Sequence, residues 1–310
     1  MILVVGAGGV GGYFGGVLRN AGEDVRFVAR GAHLQAARSS GLRVRWTGGE
    51  LTVPGDRFAG TPGAFGPAEA VLLCVKSYDT ATAARSLAPA LQEETLIISL
   101  QNGIENEGVI AGLIPRGRVL GGVAYIYATV TEPGVVTETG GPKKLLFGPL
   151  GDDPPLLARA EALAARMRAA GMDARADSDI RTALWKKFVF IASVGGLTAL
   201  TRLTLGEILA EAESRELLQR AMLEAVAVAR AGGVPIEPEY VEGVFDELRR
   251  YDNATRSSLY HDLVHGKPLE IEFLSGAVAR LGRESGIEVP VHRTIAAALI
   301  PHHRRALRAR

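Results

Sequence analysis

The sequence predicts an α/β chain whose N-terminal part folds as a doubly wound, mostly parallel sheet and whose C-terminal part is all-helical. Three observations carry this. Short β-branched or leucine-rich runs alternate with helical stretches up to Asp177. Strand patterns vanish after Ser178 and long helical periodicity takes over. A glycine-rich segment joins the first apolar run to the first helix.

The runs at 2–5, 25–29, 71–75 and 96–100 are apolar throughout, as strands buried on both faces of a parallel sheet must be. Residues 83–91 read as a crossover helix between two of them. A hairpin-like pair follows: 119–129, a turn at Glu132-Pro133-Gly134, then 135–139 and 144–147. Residues 154–170 form a helix stopped by Gly171, and 172–176 add a last strand. Beyond the boundary placed near Asp177, helices break at Gly232-Gly233 with Pro235, at Gly266 with Pro268, and at Gly286 with Pro290. The expected division is 1–177 for a nucleotide-binding domain and 178–310 for a helical substrate domain. The arginine-rich tail at 302–310 reads as a solvated helix end.

Composition narrows the function. At 310 residues, 47% hydrophobic and 22% charged, the chain suits two ordinary globular domains. A net charge of +1 offers no field for nucleic acid or an acidic membrane. The single cysteine, Cys74, sits in an apolar run and reads as a small buried hydrophobe; one cysteine fits a reducing cytosol. The opening residues lack the basic flank and length of a signal segment. The longest apolar stretch, 188–200, is too short to span a bilayer and reads as a buried helix. His302-His303 has no nearby Cys or carboxylate, so no metal site is expected.

Gly6-Ala7-Gly8-Gly9-Val10-Gly11 matches the G-x-G-x-x-G dinucleotide fingerprint. It follows a strand directly and opens a helix over 10–20, the context the motif requires and the start of a Rossmann-type βαβ unit. Gly6 permits the tight turn, Gly8 lets backbone approach a pyrophosphate, and Gly11 allows close helix–strand packing. The second strand ends in Val28-Ala29-Arg30-Gly31, with no carboxylate to hold a ribose 2′-hydroxyl. Arg30 suits a 2′-phosphate instead, which favours NADP(H) over NAD(H).

Polar residues at strand ends are the next candidates, because ligands of doubly wound sheets lie beyond the carboxyl ends. Lys76 follows one strand; Asn102-Gly103 follows another. Asn102 reads equally as a ligand-binding amide or as turn chemistry, and Lys76 also reads as a solvated strand end. In the helix starting near Ser178, the apolar positions Ile180, Leu184, Phe188 and Ile191 cluster on one face, and Lys187 falls at its edge while Lys186 does not. A lysine there either snorkels or does chemistry. Between Tyr251 and Glu270, Thr255, Ser258 and Asp262 recur at helical spacing. Glu270 falls in the first turn of a helix expected to start at Pro268, where it either complements the helix dipole or pairs with a cation such as Lys187.

Together these segments resemble the ketopantoate reductase (2-dehydropantoate 2-reductase) family. The similarity rests on the glycine loop with Arg30, Val75-Lys76, Gln101-Asn102-Gly103, Leu184-Trp185-Lys186-Lys187-Phe188, Leu197-Thr198-Ala199, Ser257-Ser258 and Leu269-Glu270-Ile271-Glu272. The resemblance implies a Rossmann domain and a helical domain with the active site between them. It also implies NADPH-dependent reduction of a branched 2-oxo acid on the route to pantothenate. By that resemblance Lys187 is the general acid and Glu270 the carboxylate that holds the substrate hydroxyl. Asn102 is the cofactor and substrate amide, Ser258 a substrate carboxylate contact, and Lys76 the lysine near the nicotinamide. Ile191, Gly195, Leu205 and Thr255 stand where family members often carry asparagines. A pocket that loses these hydrogen-bonding groups suits a different or more apolar 2-oxo acid. A paralogous reductase and a non-catalytic NADP-binding sensor are the competing readings. Helical domains of this kind often bury an apolar face in a dimer, which keeps a homodimer open.

Overall fold

The computed structural model describes residues 1–248 and 252–309. The chain divides into two compact units, Met1–Gln101 with Glu105–Ile180, and Asn102–Ile104 with Arg181–Arg310.

The first unit runs β1 (Ile2–Val5), α1 (Gly9–Asn20), β2 (Val25–Val28), α2 (Gly31–Ser40), β3 (Leu42–Trp46), β4 (Gly49–Val53), β5 (Phe58–Ala59), β6 (Ala70–Leu73), α3 (Thr80–Ser86), β7 (Leu96–Ser99) and α4 (Asn106–Ala111). It closes with β8 (Arg118–Glu132), β9 (Val135–Gly148), α5 (Pro154–Ala169) and β10 (Asp173–Ala176). Parallel strands extend both ways from β1: β2 and β5 on one side, β6, β7 and β8 on the other. That is a doubly wound sheet with its switch point at β1. Every residue of β1, β6 and β7 is buried, which is why their sequences do not alternate.

Helix α1 is held between two β layers, and its glycines record how closely. A Cβ on Gly15 would lie 2.5 Å from the Phe27 ring and 2.8 Å from Val4, on the β1–β2 side. On the opposite side a Cβ on Gly9 would overlap the Ala128 carbonyl of β8. One on Gly12 would lie 2.8 Å from Val136 of β9, and one on Gly16 3.0 Å from Val44 of β3. Glycine inside a helix costs up to about 1 kcal/mol relative to alanine. Here the alternative is overlap with backbone or packed side chains, so the penalty is accepted at several positions.

The structure departs from the sequence reading in definite places. The crossover at 83–91 is not one helix: α3 ends at Ser86, and a 3₁₀ turn, Ala88–Ala90, follows with Pro89 inside it. Proline has no N–H to continue an α-helix. Residues 135–139 and 144–147 belong to one strand, β9, whose pairing with β8 shifts register near Tyr127, opposite Gly140. Strands β3, β4 and β5 and helix α2 were not anticipated. The antiparallel β3–β4 pair extends the sheet through a parallel β3–β9 contact and packs against α1.

The second unit contains α6 (Ile180–Thr201), α7 (Leu205–Ala210), α8 (Ala212–Ala231), α9 (Tyr240–Leu248), α10 (Ser258–Val264), α11 (Ser275–Ser285) and α12 (Pro290–Arg308). Helix α6 has 22 residues, close to the helix expected from near Ser178 through the apolar stretch 188–200. By length and composition it could cross a membrane, but 67% of its apolar window is buried inside the protein. It forms the core with Phe188, Val189 and Leu197 packed against Met222, Leu259 and Ile295. Thr204 and Glu207 form a capping box on α7, and Gly286 (φ 67°) ends α11 in the left-handed region. Two expectations fail here. Thr255 lies in the turn before α10, so it shares no helix face with Ser258 and Asp262. No helix starts at Pro268: Glu270 precedes a 3₁₀ turn, Ile271–Phe273, and α11 begins only at Ser275. The tail is also less solvated than expected, because His303 is buried and its Nδ1 accepts the Leu269 N–H at 3.0 Å. Tyr251 and Arg310 lie outside the described residues.

Two adjacent glycines of α6 give a direct test of packing. A Cβ on Gly195 would meet only Leu259, at 3.9 Å, whereas one on Gly196 would lie 2.9 Å from Ile295 and 3.0 Å from Ser275. Gly195→Ala should therefore raise stability by about 0.5–1 kcal/mol through helix propensity alone. Gly196→Ala should lower it by about 1–3 kcal/mol through overpacking. Denaturant midpoints of the two variants, compared with wild type, check both signs.

Candidate active site

The glycine loop leaves β1 at Val5 and turns at Gly6, whose φ of 101° suits glycine. The Gly6 N–H donates to Val28 O at 3.0 Å, tying the loop to the end of β2. Gly8 is the N-cap of α1 and supplies no side-chain cap, and the first turn carries no acidic residue. The first N–H groups of the helix therefore remain free of side-chain acceptors, an arrangement that suits an anion. Gly8 differs from its neighbours in one respect: a Cβ built there meets nothing within 4 Å. Neither packing nor its φ of −75° demands glycine at that position, and the space beside the helix N-terminus is open. Ala7 and Val10 complete the loop, and Ala7 is buried. These features fit a dinucleotide pyrophosphate.

His33 holds the loop from outside. The Gly134 N–H donates to its Nδ1 at 3.1 Å, so Nε2 carries the proton and donates to Ala7 O at 2.8 Å. Nothing in the local sequence marks His33, since both partners are distant or on another element. Arg30 follows β2 and is the N-cap residue of α2, with its side chain 58% exposed. Its guanidinium lies 3.3 Å from Asp79, an exposed contact weak enough to leave it available to a phosphate. Asp79 ends the 3₁₀ turn, Ser77–Asp79, that follows Lys76. The structure thus brings Arg30 and the Lys76 turn together. Cys74 packs against the core beside Gly11, and burial pushes its thiol up to about 12, which removes it as a nucleophile.

In the second unit, Lys187 and Glu270 come together. Lys187 is half-buried on α6, whereas Lys186 is exposed. Burial lowers the Lys187 ammonium to about 8, and the Glu270 carboxylate pulls it partly back up. Glu270 itself is only 4% exposed. One and two turns further along the same helix stand Ile191 and Gly195, neither with a hydrogen-bonding side chain. Ser258, the first residue of α10, is exposed. Its neighbour Ser257 is the N-cap: it accepts the Tyr260 N–H at 3.0 Å and is bonded by Thr198 at 2.7 Å. Thr255 contributes its backbone, accepting the Leu205 N–H at 2.8 Å. Asn102 belongs to this unit as well, on a segment whose Gly103 has φ 108°.

A doubly wound nucleotide-binding unit followed by a helical unit with a lysine–carboxylate pair defines a class, the two-unit dehydrogenases and reductases. Residues 2–152 match the family described as ketopantoate reductase PanE/ApbA, and residues 179–303 match its C-terminal part, ketopantoate reductase PanE/ApbA C terminal. The chain belongs to the ketopantoate reductase family, whose members are oxidoreductases acting on CH–OH groups. It is 34% identical to a 2-dehydropantoate 2-reductase of Halobacterium salinarum, over 95% of this chain and 96% of that one. The crystal structure of the 2-dehydropantoate 2-reductase from Geobacter metallireducens superposes with a TM-score of 0.89 at 33% identity, covering 97% of this chain and 99% of that chain. A D-mandelate dehydrogenase solved with NADH and anilino(oxo)acetate shares the fold, with a TM-score of 0.89 at 20% identity over 99% of each chain.

A cluster of buried polar residues gathers at the ends of β6 and β7: Ser77, Thr80, Ser99, Gln101, Asn106 and Glu107, of which the sequence marks only Gln101, as part of a motif. Each residue type is ordinary alone; the signal is their joint burial, which only the fold reveals. Burial pushes the Glu107 carboxyl up to about 7, against the lowering effect of its own backbone N–H and the Ser99 hydroxyl, and its Oε1 has no hydrogen-bond partner among the described residues. A carboxyl raised in the folded state stabilises the protein fully below its unfolded value near 4.5. That contribution is lost as pH rises through about 7. Glu107→Gln should remove this pH dependence, so its advantage over wild type should grow from pH 5 to pH 8 and reach on the order of 3 kcal/mol. Urea unfolding at the two pH values measures it.

Proposed function

We propose that the protein reduces 2-dehydropantoate to pantoate with NADPH. The observation that carries this is the Lys187–Glu270 pair: a lysine lowered to about 8 on the core helix of the second unit, faced by a buried carboxylate. A non-catalytic sensor needs no such acid.

NADPH, once bound, supplies the hydride that adds to the ketone carbon. The chain's residues bind, orient and move a proton. The Gly6-Ala7-Gly8-Gly9-Val10-Gly11 loop offers its N–H groups to the pyrophosphate, and Arg30 pairs with the 2′-phosphate. Lys76 serves the nicotinamide end, and Asn102 offers its amide to cofactor and substrate. As negative charge develops on the substrate oxygen, Lys187 Nζ stabilises it and then protonates it. Glu270 accepts the substrate hydroxyl and keeps Lys187 charged. Ser258, with Thr255 nearby in the chain, serves the substrate carboxylate. A value near 8 leaves Lys187 mostly protonated at neutral pH yet able to give up its proton.

A second reading rests on Ile191 and Gly195. These positions, on the Lys187 face of α6, offer no side-chain donor, which favours a 2-oxo acid with a more apolar substituent over ketopantoate.

NADPH oxidation by purified protein across a panel of 2-oxo acids tests both readings. Turnover of ketopantoate ahead of the others supports the first; ketopantoate inert beside a rapidly reduced apolar acid supports the second. In either case Lys187→Ala should lower kcat at least ~10²-fold with NADPH affinity retained. The wild-type reduction rate should hold below pH 8 and fall above it, as Lys187 loses its proton. Arg30→Ala should weaken NADPH binding by about tenfold while leaving NADH nearly unchanged, the loss expected for one exposed charge-assisted contact to phosphate.

A further inference from the structure

Segment Asn102–Ile104 groups with the second unit, whereas the residues on either side of it, Gln101 and Glu105, belong to the first. The segment is thus a short excursion with two feet. One side chain holds both. Gln101 Nε2 donates to Thr80 Oγ1 at 2.7 Å, and Thr80 Oγ1 lies 3.0 Å from Asn106 Oδ1. The same hydroxyl lies 2.8 Å from Ser77 O, in the turn that follows Lys76, so its one proton is shared between that carbonyl and Asn106 Oδ1. Because the Thr80 proton faces only oxygen acceptors, Gln101 must present its NH2 group to that hydroxyl, which sets the orientation of the amide.

All of these groups are dry: Thr80, Gln101 and Asn106 are 2%, 5% and 2% exposed. Gln101 and Asn106 lie beyond the end of β7, so the sheet does not need their side chains. A buried hydroxyl that accepts from one foot and reaches the other sets the separation between them. Without it, the buried Gln101 Nε2 loses its 2.7 Å partner and the link from Gln101 through Thr80 to Asn106 is broken, so nothing in that chain of bonds sets the distance between the feet. Gly103, at φ 108°, leaves the intervening backbone little stiffness of its own.

We propose that Thr80 is a positioning residue: its hydroxyl pins both feet of the segment that presents Asn102 to the cofactor and substrate. This rests on the role given to Asn102 in the proposed reduction. Thr80 touches neither reactant; it acts through Asn102.

The test uses full-length Thr80→Val, Thr80→Ser, Asn102→Ala and the Thr80→Val/Asn102→Ala double variant. Steady-state kcat and KM are measured for NADPH and for the best 2-oxo acid, with NADPH affinity from fluorescence titration and thermal melts alongside. Valine keeps the shape and deletes the hydroxyl. A misplacement of about 1 Å is worth ~10²-fold, so Thr80→Val should lower kcat/KM by ~30–100-fold, close to Asn102→Ala. Thr80→Ser, which restores the hydroxyl, should stay within ~3-fold of wild type. The double variant should be no worse than Asn102→Ala alone, within ~2-fold, because both changes remove one function. Near-wild-type kinetics in Thr80→Val would overturn the proposal. So would a double variant whose loss is the product of the single losses, which is what general loosening of the fold produces. Wild-type behaviour of Asn102→Ala overturns it too, while leaving the reductase reading intact. If the wild type reduces no 2-oxo acid, the reductase reading fails, and NADPH affinity then decides: weakened, non-additively, in Thr80→Val sustains the pinning role, and unchanged affinity ends it.

Discussion

The close approach of helix α1 to the β layers on both of its sides is the constraint on which the nucleotide-binding unit depends. Gly15 faces Val4 and Phe27 on one side, and Gly9, Gly12 and Gly16 face Ala128, Val136 and Val44 on the other. The β8–β9 pair and the β3–β4 extension can lie over the helix only because those positions carry no side chain. That packing fixes the axis of α1, and with it the direction of the N–H groups at its N-terminus. His33 adds the last restraint, bridging Ala7 in the loop to Gly134 in the β8–β9 turn. The proposed anion site is therefore a consequence of how the layers meet.

Glycines of the fingerprint loop do two different jobs that a motif cannot separate. Gly6 and Gly11 are required by neighbours that already exist: the Cys74 backbone beside one, and Val4 and the Gly6 carbonyl beside the other. Gly8 is bordered by nothing within 4 Å. The electrostatics divide in the same way between the units. In the first, an exposed arginine and a helix N-terminus without a side-chain cap make up the proposed anion site; in the second, a half-buried lysine is tuned by desolvation against one buried carboxylate.

Much of this was readable from the chain alone, for physical reasons that also explain what was not. Fully buried strands such as β1 and β6 announce themselves as unbroken apolar runs, and α6 by its length of apolar periodicity. Lys187 stood out because a scarce residue type fell at the edge of a buried stripe. By contrast, β3 and β4 alternate polar and apolar residues, so they carry no unbroken apolar run to mark them. Thr255 was assigned to a helix by spacing, but the chain at Asn253 and Ala254 turns before α10 begins. Glu270 was singled out for its chemistry and misplaced in its local structure, since a 3₁₀ turn intervenes before α11. Thr80, Asn106 and His33 leave no local trace at all, and Gln101 shows only as one letter of a motif; their partners are brought to them by the sheet, and partnership across the fold has no period in the sequence.

The proposed distinction between glycines that make room for the protein and a Gly8 that makes room for the cofactor can be measured in a single pair of variants. Gly8→Ala and Gly12→Ala would each be melted alone and titrated with NADPH by calorimetry. Gly8→Ala should melt as wild type does and bind NADPH at least ~10²-fold more weakly, because its methyl group occupies space that only the ligand fills; Gly12→Ala, pressed against Val136, should lose its melting temperature first. A Gly8→Ala protein that binds NADPH with wild-type affinity would contradict the assignment of that space to the cofactor.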